Sequence, residues 1–414
     1  MNFMSPSEET ETKQASTNSD TNSSWHQLLI IGNGFDLECG LKSAFGNFIA
    51  TKRKSLTPER PLYLGAEERA WRETVTKTDC TVWDLFLAEQ REENWCNIEA
   101  EILEQIKYIT LGFSELTQIN RYISERGNDL YPYDFEYLYR FKLSYDIYQY
   151  IFLREDRSAL SSKKNLSFFM LKELHRFEDA FSEYLREQII GDRSPDYTDK
   201  EDHAENFYTT AAKTKLHALL SFGLQSDNRQ SETYSILSFN YTGPFDISSN
   251  EIGQRVAYTN IHGLCREGEE IIFGIDGKEN LVDEIARPFT KTYRLLSLGG
   301  PKAQDIVRSD TQCIKFYGHS LSDADYSYFQ AIFDAVHLYS SDVSLVFFYR
   351  CFDEKDPLIH RSEMMNKVIN LLTAYGATLE NKDHGKNLIH KLLLEGRLSV
   401  QEIRFDSQSG TEPS

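Results

Sequence analysis

The run Leu28-Leu29-Ile30-Ile31-Gly32-Asn33-Gly34-Phe35-Asp36-Leu37 constrains this chain more than any other stretch. Four consecutive apolar residues are too few to cross a membrane and suit a strand covered on both faces. The two glycines that follow let the backbone turn tightly and approach another group closely. Asp36 stands where a helix N-cap would sit, ahead of Leu37, Leu41, Phe45 and Phe48, an apolar stripe of helical period. Strand, glycine turn and helix in this order offer backbone N–H groups and a positive helix end to a phosphate. The third glycine of the dinucleotide fingerprint is missing, because Leu37 holds its place. The same residues therefore also suit an ordinary buried strand running into a helix.

The first strand has no partner nearby in sequence. From about residue 60 to 222 the pattern is helical. One apolar face runs through Trp95, Ile98, Ile102, Ile106 and Ile109, and a second through Phe135, Leu138, Phe141, Tyr145, Tyr148 and Phe152. A third runs through Leu174, Phe177, Phe181 and Leu185, with Glu173, Glu178 and Glu183 expected on its wet sides. The polar stretches Gly191–Asn206 and Gly223–Thr233 read as loops or linkers. From Tyr234 onward short β-type runs take over: Tyr234–Phe239, Val256–Ile261, Ile271–Ile275, Cys313–Tyr317 and Val343–Tyr349. Helices are expected at Tyr326–Val336 and Glu363–Ala374. Strands alternating with helices imply a mainly parallel sheet, which the first strand would join. The expected architecture is α/β, a Rossmann-like mainly parallel sheet with a large helical insertion. Residues 25–58 and 230–406 would form the α/β domain, 59–229 the insertion, and 1–24 and 407–414 the tails.

With 45 Lys and Arg against 64 Asp and Glu, the net charge is −19, which repels nucleic acid and anionic membranes. The short run Thr51-Lys52-Arg53-Lys54 suits a helix C-terminus. The six cysteines (39, 80, 96, 265, 313 and 351) are scattered without a CxxC pair, which argues against zinc and against a disulfide framework. Residues 1–24 are polar, with no cationic start and no apolar core of a signal peptide. A soluble cytoplasmic protein with no membrane span and no metal is the expectation.

In open α/β sheets ligands bind beyond the carboxyl ends of strands. The groups found there are Gly32-Asn33-Gly34, Asn240-Tyr241-Thr242 with Pro244 close behind, His262-Gly263, and Gly318-His319-Ser320-Leu321-Ser322-Asp323-Ala324-Asp325. Singly, each has a plain reading: Asn240 as a turn cap, His262 as a loop histidine, Asp323 and Asp325 as helix caps. Together they are what a nucleotide pocket requires.

The opening GNGFDLECGLKSAFGNF resembles that of the AbiH family of bacteriophage abortive-infection proteins. The likeness extends over Trp95–Glu99, Ile261-His262-Gly263, Ile272-Phe273-Gly274-Ile275-Asp276 and Gly318–Tyr326. More loosely, the opening is similar to the GAG-x-S-x-x-x-G of sirtuin-like NAD-consuming domains. Gly32, Gly34 and Gly40 fall on those glycines, Asp36 replaces the serine, and Lys42 stands where proline is usual. That resemblance implies a catalytic pair, Asn240 and His262, with His262 as general base. It implies nucleotide contacts from Gly32, Asn33, Gly34, Phe35, Asp36, Gly318, His319, Ser320 and Asp323. Thr242 departs from the sirtuin-like aspartate. The implied activity is hydrolysis of the nicotinamide–ribose bond of NAD by an antiphage effector. A non-catalytic nucleotide sensor controlling a partner protein, or a nuclease-type toxin, are the other readings, and a homo-oligomer or a defence-system partner is compatible with each.

Overall fold

A computed structural model describes residues 25–56, 80–89, 98–127, 134, 137–190, 207–223, 233–243, 254–277, 280, 282–299, 306–351 and 357–405. Trp95, Phe135, Pro244, the stretches 191–206 and 224–232 and both tails fall outside these residues.

Six strands form one sheet: β1 His26–Ile31, β2 Thr233–Ser238, β3 Gln254–Asn260, β4 Thr311–Tyr317, β5 Ser344–Tyr349 and β6 Leu398–Glu402. Every pair is parallel and the spatial order is β3-β2-β1-β4-β5-β6. β1 is central. Its Ile30 lies between Leu237 of β2 and Phe316 of β4. This is the Rossmann order, with the direction of winding reversing between β1 and β4.

The uninterrupted apolar run of β1 is explained by two cores, one on each face of the sheet. Leu28 and Ile30 pack on one face with Phe316, Phe347, Phe329 and Phe333. That face is covered by α9 (Tyr326–Ala335), α10 (Pro357–Thr378) and α11 (Lys382–Leu394). Leu29 and Ile31 pack on the other with Phe35, Leu216, Leu219 and Leu220, the last three from α7 (Phe207–Ser221). A third core joins α2 (Phe45–Leu56), α3 (Val82–Glu89), α4 (Ile98–Arg126), α5 (Lys142–Leu153) and α6 (Lys163–Ile190). Ile102, Ile109, Leu174, Phe177 and Phe181 lie within it, as their helical spacing predicts.

Three expectations need correction. The segment Ile271–Ile275 is not a sheet strand: it makes only isolated bridges, Gly263 to Ile271 and Ile275 to Thr290. It is apolar because Phe273 and Ile275 plug the helical core, alongside Phe289. Glu173 and Glu178 are not wet but buried (each 3 % exposed), held by Arg176 and Arg294 respectively. The stripe from Leu37 to Phe48 is not one helix. A short α1 (Asn33–Glu38) ends at Cys39, α2 begins at Phe45, and Leu37 is exposed. Among the described residues no helix is long and apolar enough to cross a membrane.

Candidate functional site at the strand-order reversal

The loops leaving β1 and β4 meet where the sheet reverses direction. Gly32 N–H donates to Tyr317 O (3.1 Å) and Gly34 N–H to Gly318 O (2.8 Å). The two glycines admit backbone rather than open space. A Cβ on Gly32 would lie 2.6 Å from His319 Cα, and one on Gly34 would lie 2.7 Å from Gly318 Cα. Gly318 itself has φ +71°, a conformation that favours glycine. Gly34, Gly318, His319 and Ser320 border a cleft of about 280 Å³ that is also lined by Arg350, just past β5, and by His360 and Lys367 of α10. Of the other expected nucleotide contacts, Asn33 accepts from Ser43 Oγ (2.6 Å), and Phe35 is wholly buried with its ring edge-on to Tyr317.

Asp36 does not cap α1: Gly32 holds the N-cap position, and Asp36 lies inside the helix, 1 % exposed. Its carboxylate accepts from Asn240 Nδ2 (3.0 Å), Tyr208 OH (2.9 Å) and the hydroxyl of Thr242. Burial pushes the Asp36 carboxyl up to about 6, although these three donors work against the shift. Asn260, the last residue of β3, donates to Asn240 O (2.8 Å) and Thr242 O (2.7 Å), and so braces the loop after β2. Tyr208 and Asn260 join this buried network although no motif marked them, and Thr242 joins it through its hydroxyl. A second carboxylate at 242 would repel Asp36, whereas the Thr242 hydroxyl donates to it.

Asn240 and His262 do come to one end of the sheet. Ser238 pairs with Asn260, and each residue of interest stands two positions beyond that pair. Phe239, between them in the packing, lays its ring 5.5 Å from the His262 ring and 4.5 Å from that of His319. Both histidines face Asp325, which is buried, whereas Asp323, the expected contact, is exposed. Lys291, at the start of α8 (Lys291–Ser297), donates to Asp325 Oδ1 (2.7 Å) and to Glu99 Oε1 of α4 (3.0 Å). Burial lowers His262 to about 3, assisted by the Lys291 charge and opposed by Asp325. Burial alone would raise Asp325, yet the His319 hydrogen bond and the neighbouring positive charge hold it well below the usual carboxylate range. At neutral pH the cluster is thus an ionised Asp325 with Lys291 and a neutral His262. Among the described residues no group of three or more His, Cys, Asp or Glu could hold a metal ion.

The fold and this site define a parallel α/β protein of Rossmann strand order, with buried ionisable side chains gathered beyond the carboxyl ends of β1 to β4. The chain belongs to the AbiH family. The family model described as "Bacteriophage abortive infection AbiH" matches residues 28–349, from β1 to the end of β5. No curated protein matches the chain, and no solved structure does.

Proposed function

We propose that this chain is an antiphage abortive-infection effector that hydrolyses the nicotinamide–ribose bond of NAD. The observation that carries the reading is the placement of Asn240 and His262 beyond one strand pair, beside the crossover of the β1 and β4 loops. The abortive-infection role rests on the family membership. The cleft suits a phosphorylated ligand through Lys367 and His360, with Glu363 as the acidic residue of its lining and Arg350 paired with Glu38. At about 280 Å³ it suits one half of a dinucleotide rather than all of it. The other half would reach toward His262.

The chemistry divides among the chain's own groups. Departure of nicotinamide leaves positive charge on the ribose, and water must lose a proton as it adds. His262 is neutral and its Nε2 has no hydrogen-bond partner among the described residues, so it is available to take that proton. Asn240 Oδ1 is likewise without a hydrogen-bond partner among the described residues and suits orientation of the water or of a ribose hydroxyl. Asp36 is committed to its three donors and serves to hold the Asn240 amide.

A nucleotide sensor without turnover is the second reading. It is favoured by the burial of Asn240 and His262, each 3 % exposed, and by the weak basicity of a histidine held near 3. Nicotinamide release from NAD by the purified chain separates the two. His262→Ala is expected to lower turnover at least about 100-fold with nucleotide affinity little changed. In cells it should abolish phage protection at equal protein abundance. Full protection by His262→Ala would refute the hydrolase.

A further inference from the structure

Asp325 touches three side chains from three different segments. Its Oδ1 lies 3.4 Å from His262 Nε2 and 2.7 Å from Lys291 Nζ, and its Oδ2 lies 3.4 Å from His319 Nε2. His319 Nδ1 accepts the Leu321 N–H at 2.9 Å, so the proton of a neutral His319 resides on Nε2, the nitrogen beside Asp325. Lys291 is anchored in turn by Glu99 at 3.0 Å. Asp325 occupies the N-cap position of α9, yet its side chain makes no capping hydrogen bond. A carboxylate whose task was to start the helix would turn toward the free N–H groups; this one turns to the histidines.

We propose that Asp325 is the positioning residue for His262 in the hydrolysis proposed above, on which this inference rests, and that Lys291 sets the charge of the pair. Water adds to the anomeric carbon, nicotinamide leaves with the electron pair of the C–N bond, and the water proton passes to His262 Nε2. The resulting imidazolium meets the Asp325 carboxylate and afterwards releases its proton to solvent. Without Asp325 the imidazolium would form next to the Lys291 ammonium in an apolar pocket, where like charges repel strongly. His319 and Lys291, on different carboxylate oxygens, keep Asp325 from rotating away. Tyr241 and Tyr328, whose rings lie beside that of His262, are pushed up by burial and contribute no charge at neutral pH.

The test compares Lys291→Met with the double variant Lys291→Met/Asp325→Asn by following the His262 imidazole through a pH titration with ¹⁵N NMR. Removing the ammonium should raise the His262 midpoint, and removing the carboxylate as well should bring it down again. Equal midpoints in the two variants would overturn the inference. Lys291→Met/Asp325→Glu, which keeps the charge, guards against misfolding of the amide variant and should retain the raised midpoint; a midpoint no higher than in the amide variant would equally overturn the inference. In turnover, Asp325→Asn should lower kcat about 100-fold with KM unchanged, and Asp325→Glu should recover part of it. Should wild-type protein release no nicotinamide, the hydrolase reading fails, while the titration still decides whether Asp325 governs His262.

Discussion

Asp36 shows how much a single buried carboxyl can govern. Its ordinary value is 3.8 and burial raises it to about 6 in the folded protein. The folded state therefore binds the proton more tightly, so the stabilisation is complete below about 3.8 and is lost as pH rises through about 6. A shift of this size corresponds to about 3 kcal/mol. Asp36→Asn keeps the shape and an acceptor oxygen for Tyr208 and Asn240 but removes the titration. The variant's thermal midpoint relative to wild type should rise between pH 4 and pH 7, measured by circular dichroism. A difference independent of pH would show that Asp36 is not protonated in this window. Taking the difference from wild type matters, because His262 is lowered by burial and drives stability in the opposite direction, losing it as pH falls through 6.5 toward 3.

At the scale of elements, the turn after β1 and the turn after β4 form one interlocked unit. Gly34→Ala would place a methyl group 2.7 Å from Gly318 Cα, a backbone atom that cannot yield cheaply. The expected loss is about 1–3 kcal/mol, read from the urea midpoint. A bulky residue at Gly34 therefore tests this interlock before it tests phosphate binding, and nucleotide affinity must be compared only among folded variants. The elements differ in how plainly the sequence announced them. β1, β2 and β4 were legible because strands buried on both faces leave apolar runs between turn residues. β6 was not: Leu398-Ser399-Val400-Gln401-Glu402 is an edge strand, half-buried throughout, and its mixed composition resembles a helix end. Ile271–Ile275 misled in the opposite sense, since a loop that fills a core carries the same apolar signature as a strand. In the site, Asn240 and His262 stood out by following strands. Asp325 reads as a helix cap because an acid at a helix start has that commoner explanation, Glu99 falls only in the family-like stretch Trp95–Glu99, and Lys291 and Tyr208 come from segments with no local signal.

The helices between β1 and β2 are tied into the site by three polar links. Tyr208 of α7 donates to Asp36, Glu99 of α4 accepts from Lys291, and Glu178 of α6 holds both Arg294 of α8 and the Phe273 N–H. The Glu178–Arg294 pair is bidentate, at 2.7 and 3.0 Å, and each side chain is 4 % exposed. Arg294→Met strands a buried carboxylate and should cost about 3–5 kcal/mol. Adding Glu178→Gln, which keeps an acceptor for Phe273, should recover a large part of that loss in thermal unfolding. Additive losses would mean that the pair acts as two separate contacts. The central place of β1 also has a temporal meaning. On the ribosome this strand emerges early, but its neighbours are Thr233–Ser238 on one side and Thr311–Tyr317 on the other. At about 5–20 residues per second, it waits on the order of tens of seconds for both. Asp36, Asn240, His262 and Asp325 can meet only when translation has passed α9, so a nascent or prematurely terminated chain carries no assembled site. For the hydrolase proposed above, activity would begin only once translation has passed α9.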